Sequence, residues 1–320
     1  MEITRLGLGA WAIGGSGWQG GWGPQDDDES VATIHRAVEC GLNWVDTAAA
    51  YGLGHAEEVV GRAVRELPAD ERPYVFTKCG LVWDPGGTTV RNVLAPESIR
   101  RECDDSLRRL GLERIDLFQF HWPTHDGTPV EDSWATMVEL VDEGKVAHIG
   151  VSNFDVDLLE RCQALRPVES SQPELNLLAR DTAGTVIPWA AAHGLGTIVY
   201  SPMRSGLLTG AFSPERAANL PPDDWRSDHD DFREPGLSRN LALVARLEGI
   251  ANYVGCSVAE LAVAWTLACP GVTGAIVGAR RPDQIEGWIG AADVALEPAL
   301  LDAIGVAVEE TGAGSGPSRP

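Results

Sequence analysis

Three consecutive apolar runs in this chain end in groups that can move or hold a proton. Gly41-Leu42-Asn43-Trp44-Val45 leads to Asp46, and the small residues Thr47-Ala48-Ala49-Ala50 carry the backbone on to Tyr51 and Gly52. Tyr74-Val75-Phe76-Thr77 ends in Lys78, and Asp116-Leu117-Phe118-Gln119-Phe120 ends in His121. A phenol with a pKa near ~10 donates a proton poorly to a carbonyl at neutral pH, so it needs a fixed cation nearby to stabilise the phenolate. Lys78 is one of only two lysines, the other being Lys145. Singly, such residues are ordinary: an aspartate after a strand caps a turn, a lysine is solvated, and a histidine before Trp-Pro packs. An acid, a phenol, a cation and an imidazole at successive strand ends are what a parallel barrel brings to one mouth.

The elements that must position them alternate along the chain. Strands are expected at 6–11, 43–46, 74–79, 115–122, 146–153, 172–176, 197–201 and 274–278. Helices are expected at 26–40, 56–67, 97–110, 134–143, 156–165, 185–192, 239–254, 258–269, 282–291 and 298–308. Eight strands alternating with helices, without a composition break, predict a single-domain (β/α)8 TIM barrel over residues 1–310. A doubly wound sheet is disfavoured because Gly14, Gly15, Gly17, Gly20 and Gly21 lack the spacing of a dinucleotide fingerprint. The segment from Thr209 to Leu237 reads as a lid-like loop after strand 7, crowded with Asp223, Asp224, Asp228, Asp230 and Asp231. The Gly/Ser/Pro tail at 311–320 reads as flexible.

At 320 residues and 44% hydrophobic content, the chain can bury one large core. A net charge of -22 argues against nucleic acid and anionic membranes as partners. Six scattered cysteines form no Cys-x-x-Cys pair or metal-like cluster and read as reduced thiols. With no leader pattern and no apolar run long enough to span a bilayer, a cytoplasmic address is expected.

The motifs in order resemble the aldo-keto reductases over nearly the whole chain. They are the Asp46 to Tyr51 segment, Lys78, His121 in Phe-His-Trp-Pro, Gly144-Lys145 leading into Gly150-Val151-Ser152-Asn153-Phe154, and Tyr200-Ser201-Pro202 leading into Gly206-Leu207-Leu208-Thr209-Gly210. Gly9-Ala10-Trp11-Ala12-Ile13-Gly14-Gly15 is similar to the start of the bacterial branch that includes the inositol-operon reductase. The resemblance implies a catalytic tetrad of Asp46, Tyr51, Lys78 and His121. In it Lys78 would lower the phenol pKa, Asp46 would hold and neutralise Lys78, and Tyr51 would protonate a carbonyl oxygen as hydride reaches carbon. Neutral His121 would orient that carbonyl. In the reverse direction the protein would be an alcohol or sugar dehydrogenase.

Hydride has to come from a nicotinamide, since no side chain supplies one. The resemblance places NADPH against Trp11, Asp46, Ser152, Asn153, Gln172 and Tyr200. Ser201, Met203, Ser205, Gly206 and Leu207 would lie along the pyrophosphate, and Gly278, Arg280 and Gln284 at the adenosine end. Arg280 and Arg281 precede a proline-started helix, an arrangement that suits a 2′-phosphate and favours NADPH over NADH. Three positions depart from the family: Gly287 and Trp288 replace a Glu-Asn pair that contacts adenine, and Ala10 stands where threonine is frequent. The substrate is expected to be a small-molecule carbonyl compound held at Tyr51, Trp83, His121 and Trp122, with an acidic lid disfavouring carboxylates. The alternative is a sensor or regulatory barrel that binds NADPH with little turnover. A Schiff-base aldolase using Lys78 fits Tyr51 and Asp46 less well.

Overall fold

The computed structural model describes residues 1–124 and 126–320. Strands β1 (Leu6–Gly9), β2 (Trp44–Asp46) and β3 (Tyr74–Cys79) are followed by a two-stranded hairpin, β4 (Leu81–Val82) and β5 (Arg91–Asn92). Then come β6 (Ile115–Phe120), β7 (Val146–Ser152), β8 (Ser170–Gln172), β9 (Gly196–Tyr200) and β10 (Gly274–Gly278). All but the hairpin strands pair in parallel and close into a barrel in the order β1-β10-β9-β8-β7-β6-β3-β2. The expected (β/α)8 barrel is therefore what forms, with a hairpin inserted after its third strand.

Helices α1 (Asp27–Glu39), α2 (His55–Glu66), α3 (Pro96–Leu110), α4 (Val130–Asp142), α5 (Val156–Gln163) and α6 (Val186–Ala192) follow the strands in turn. The short α7 (Pro214–Ala218) precedes α8 (Gly236–Val254), α9 (Val258–Ala268), α10 (Pro282–Glu286) and α11 (Pro298–Thr311). Local chemistry sets several of the starts. Asp26 accepts the Glu29 N–H at 2.9 Å to begin α1, and Ser257 and Glu260 form a capping box on α9. Among the described residues, no single helix is long and apolar enough to cross a membrane.

Side chains on a strand alternate between faces, and here that alternation makes two layers inside the barrel. Trp44, Phe76, Leu117, Ile198 and Ile276 pack together as an apolar plug. The Trp44 ring fits only because residue 7 is glycine, where a Cβ would stand 2.2 Å from the indole. Two residues further along the same strands come Asp46, Lys78, Gln119, Tyr200 and Gly278. The polar layer thus rests directly on a dry floor, at the carboxyl ends of the strands.

Some boundaries differ from the sequence expectation for identifiable reasons. β8 stops at Gln172 because Pro173 has no N–H for the ladder. The segment after β9, expected as an irregular lid, is a chain of short turns built on α7 and 3-10 turns at Trp225–Asp228 and Asp230–Phe232. Phe212, Trp225 and Phe232 anchor it, with Phe212 and Phe232 ring centres 5.2 Å apart. Its aspartates are largely paired: Asp224 with Arg226, Asp228 with Arg233 and Asp231 with Arg204. The tail, expected to be flexible, is docked instead. The Arg180 guanidinium, only 3% exposed, donates to Ala313 O at 3.1 Å and Pro317 O at 2.9 Å, and Ser315 pairs with Ala179. A buried guanidinium needs those carbonyls, and α11 runs on to Thr311 to deliver them.

Candidate active site

Asp46, Tyr51, Lys78 and His121 come together at the mouth. Lys78 is 1% exposed, and its ammonium donates to Asp46 Oδ1 and, at 2.9 Å, to the Thr47 carbonyl. Asp46 Oδ2 accepts from Gln172 Nε2 at 3.0 Å and from Gln119 Nε2 at 3.4 Å, which fixes the carboxylate on both sides. The Lys78 ammonium lies 5.3 Å from the Tyr51 ring centre, and the His121 ring meets Tyr51 edge-on at 5.5 Å.

Tyr51 opens a tight turn before α2, and the turn depends on glycine. Gly52 has φ +61, and a Cβ there would stand 2.3 Å from the Gly14 carbonyl oxygen. This approach brings the loop after β1 against the phenol: Trp11 stacks at 6.3 Å and Trp18 lies at 6.2 Å from it.

Burial dominates the electrostatics. It pushes the Tyr51 phenol well above its ordinary pKa, and the Asp46 carboxylate adds to the effect. The net shift is thus upward, opposite to the lowering expected of Lys78 alone, and the phenol is held protonated. Burial pulls the Lys78 amine below its usual range, opposed by Asp46. His121 is driven well below the usual imidazole range, first by burial and then by the Lys78 charge, so the ring is neutral. Among the described residues, its buried Nδ1 has no partner.

The cleft above the tetrad has a volume of about 1480 Å³, beyond the ~300–1,000 Å³ of a usual small-molecule pocket. It runs from Tyr51, His121 and Trp122 past Ser152, Asn153, Gln172 and Tyr200 to Arg280, Arg281, Gln284 and Trp288. That length suits a dinucleotide with a small substrate at one end. The buried indole N–H groups of Trp22, Trp225 and Trp288 also lack partners among the described residues. Trp11, Asp46, Ser201, Met203, Ser205, Gly206 and Gly278 line the same cleft.

Several polar groups in the cleft are already engaged. Asn153, at φ +62, donates to His121 O at 3.0 Å and accepts from the Tyr200 hydroxyl at 2.8 Å. The Ser152 hydroxyl donates to Gln172 O at 2.8 Å. Three sequence assignments need correction. Leu207 is fully buried in the apolar shell outside the strands and does not line the cleft. Trp83 is also off the cleft, with the Arg109 guanidinium 6.0 Å from its ring centre. Arg280 lines the cleft, but its guanidinium is spent on the chain: it donates to Gln25 Oε1 at 2.7 Å, to Trp22 O at 3.0 Å and to Pro24 O. Arg281 is exposed and, among the described residues, forms an ion pair only with Asp283, at 3.1 Å.

Sequence reasoning missed Gln119, although it lies two residues before His121 on the inward face. It also missed the roof. Arg226 binds Asp224 and Ser205 O, with its guanidinium 4.6 Å from the Trp22 ring centre, so Trp22 is gripped by two arginines distant in sequence. On the wall, Arg204 bridges Glu174 and Asp231. Nothing local in the sequence signals these pairings.

A sequence model of the Aldo/keto reductase family matches residues 5–307. The chain is 37% identical over 287 residues to aldo-keto reductase YhdN of Bacillus subtilis (strain 168), covering 89% of this chain and 84% of that protein. It is 32% identical over 310 residues to an NADH-specific methylglyoxal reductase of Escherichia coli (strain K12), covering 93% of each. The solved glycerol dehydrogenase AKR11B4 from Gluconobacter oxydans superposes with a TM-score of 0.87 at 38% identity, covering 99% of this chain and 94% of that one. A closed eight-stranded barrel with this mouth, a family match spanning nearly every residue and relatives named as reductases and dehydrogenases lead to one conclusion: the chain belongs to the aldo/keto reductase family and is an NAD(P)H-dependent oxidoreductase.

Proposed function

We propose that the protein reduces a small aldehyde, ketone or sugar carbonyl with NADPH, and that Tyr51 is the proton donor. The observation that carries this reading is the ammonium of Lys78 fixed between Asp46 and the Tyr51 ring, beside a neutral His121. Bound at the mouth, the nicotinamide supplies hydride to the carbonyl carbon. Tyr51 holds its proton until charge develops on the carbonyl oxygen and then releases it there. Lys78 offsets the phenolate that results, and Asp46 keeps the buried ammonium paired. Neutral His121 offers a ring N–H to the same oxygen as its charge grows. In the oxidative direction the phenolate takes the proton back.

The preference for NADPH rests on Arg281, the guanidinium at the adenosine end whose sole partner is the exposed Asp283. An exposed ion pair is weak and yields readily to a phosphate. One relative is NADH-specific by name, so the preference is a property to be measured for this chain. Small polar substrates are favoured by the relatives named for methylglyoxal and glycerol and by the 43% exposed Trp122 at the rim. Free thiols throughout the chain suit a reducing, cytoplasmic compartment.

The test is loss of nicotinamide absorbance with methylglyoxal, glyceraldehyde and benzaldehyde, run with NADPH and NADH in parallel. Tyr51→Phe should lower kcat by about 10²-fold or more, the span of a lost general acid, with coenzyme affinity nearly unchanged. A Tyr51→Phe protein turning over near the wild-type rate removes Tyr51 as the donor.

A further inference from the structure

The barrel wall behind Lys78 holds a buried carboxylate that the reaction does not use directly. β3 pairs with β6 only as far as Cys79 opposite Phe120. Gly80 then turns out of the sheet at φ +93, where a Cβ would stand 2.5 Å from Leu94, and its N–H leaves the ladder inside the protein. Left unpaired in the interior, that amide would forfeit its hydration with nothing in return. Glu102 of α3 takes it: Oε2 accepts the Gly80 N–H at 2.8 Å, and Oε1 accepts the Ser98 hydroxyl at 3.1 Å.

The Gly80 N–H and the Cys79 carbonyl belong to one peptide group. That carbonyl accepts the His121 N–H at 2.9 Å, and the peptide starts from Cys79, the residue after Lys78. One planar unit therefore has Glu102 on one side and the main chain of His121 on the other, and it begins at Cys79, one residue beyond Lys78. Beyond it, the Gly80 carbonyl accepts the Val93 N–H at 3.0 Å, which anchors the hairpin segment whose Leu81 and Val90 line the cleft.

We propose that Glu102 is a positioning residue for carbonyl reduction: through the peptide between Cys79 and Gly80 it sets the placement of His121, Lys78 and the hairpin wall. The inference rests on the reductase reading above and adds to it a group that touches neither substrate nor coenzyme. A carboxylate holds a peptide N–H about twice as strongly as a neutral acceptor, and linked hydrogen bonds polarise one another. The grip on the peptide thus depends on whether Glu102 is ionised.

The surroundings make that change available near neutrality. Burial pushes the Glu102 carboxyl up to about 7, against the opposing pull of the Gly80 N–H, the Ser98 hydroxyl and the Arg101 and Arg109 charges. The ionisable groups facing it are those two arginines on α3 and the Cys79 thiol on β3, whose own pKa burial raises well above the thiol range. Glu57 of α2 is engaged with Arg109 and the Thr77 hydroxyl, both at 2.6 Å.

The test is kcat against pH for wild type, Glu102→Gln and Ser98→Ala, with coenzyme KM measured alongside. Wild type should gain about 3- to 10-fold in kcat as pH rises through neutrality, as one hydrogen bond becomes charge-assisted. Glu102→Gln should stay on the lower plateau throughout, with coenzyme KM unchanged. Ser98→Ala removes a bond to the ionised form, so its inflection should move up by roughly half a pH unit. If Glu102→Gln fails to fold by circular dichroism, the Ser98→Ala shift alone decides. A flat wild-type profile, a wild-type inflection kept in Glu102→Gln, or no shift in Ser98→Ala overturns the proposal. Absence of any coenzyme oxidation by wild type would refute the reductase reading instead.

Discussion

Replacing Lys78 by methionine separates the electrostatic role of the amine from its place in the fold. The side chain is of similar length and 1% exposed, so the change keeps volume and removes charge. Asp46 would keep only the amides of Gln172 and Gln119, at 3.0 and 3.4 Å, around a buried carboxylate. Removing one partner of a buried pair costs about 3–5 kcal/mol, which in a chain of this length should lower the apparent Tm by roughly 4–7 °C. The double variant Lys78→Met/Asp46→Asn has no charge left to pair and should recover most of the lost stability. Turnover should not recover: without the cation, the phenolate formed on proton donation is unsupported, a loss of ~10²–10³-fold in kcat. Calorimetry and coenzyme oxidation on the three proteins give both readouts. A stable double variant that also regains turnover would refute the assigned role of Lys78, and a single variant as stable as wild type would refute the buried pair.

Two further outcomes follow from the geometry. Because Arg280 grips Trp22 O, Pro24 O and Gln25, Arg280→Ala should weaken NADPH and NADH by similar factors, whereas Arg281→Ala should weaken NADPH selectively. Coenzyme titrations followed by tryptophan fluorescence check both, and a loss confined to NADPH in Arg280→Ala would return the 2′-phosphate to Arg280. Glu102 also links folding to pH. Its folded pKa of about 7 lies above the ordinary 4.5, so its contribution is complete below pH 4.5 and is lost as pH rises through 7, by about 3 kcal/mol. Urea unfolding of Glu102→Gln should lack this decline, and equal slopes for the two proteins would show that the carboxyl is not buried in its neutral form.

The alternation of apolar runs with amphipathic segments was enough to specify an eight-stranded barrel, because period-2 and period-3.6 patterns are local and survive in the linear text. The four groups at the mouth were legible for the same reason: Asp46 and Lys78 lie at or next to the end of a strand, His121 follows one and Tyr51 sits in the loop after β2, and a parallel barrel carries every strand end to the same face. Tertiary structure alone decided what surrounds those four groups. The commitment of Arg280 to the loop at Trp22, the grip of Arg226 on the same loop and the bridge from Arg204 to Glu174 and Asp231 join residues separated by long stretches of chain. The direction of the Tyr51 shift depends on the depth of burial, which sums over neighbours from many elements. Glu102 is a charged residue on a helix like many others until folding sets it against the Gly80 amide, which leaves the ladder just past β3. Strand ends are written in the order of residues; the partners of a buried donor or charge are not, because they are chosen by packing across the closed barrel.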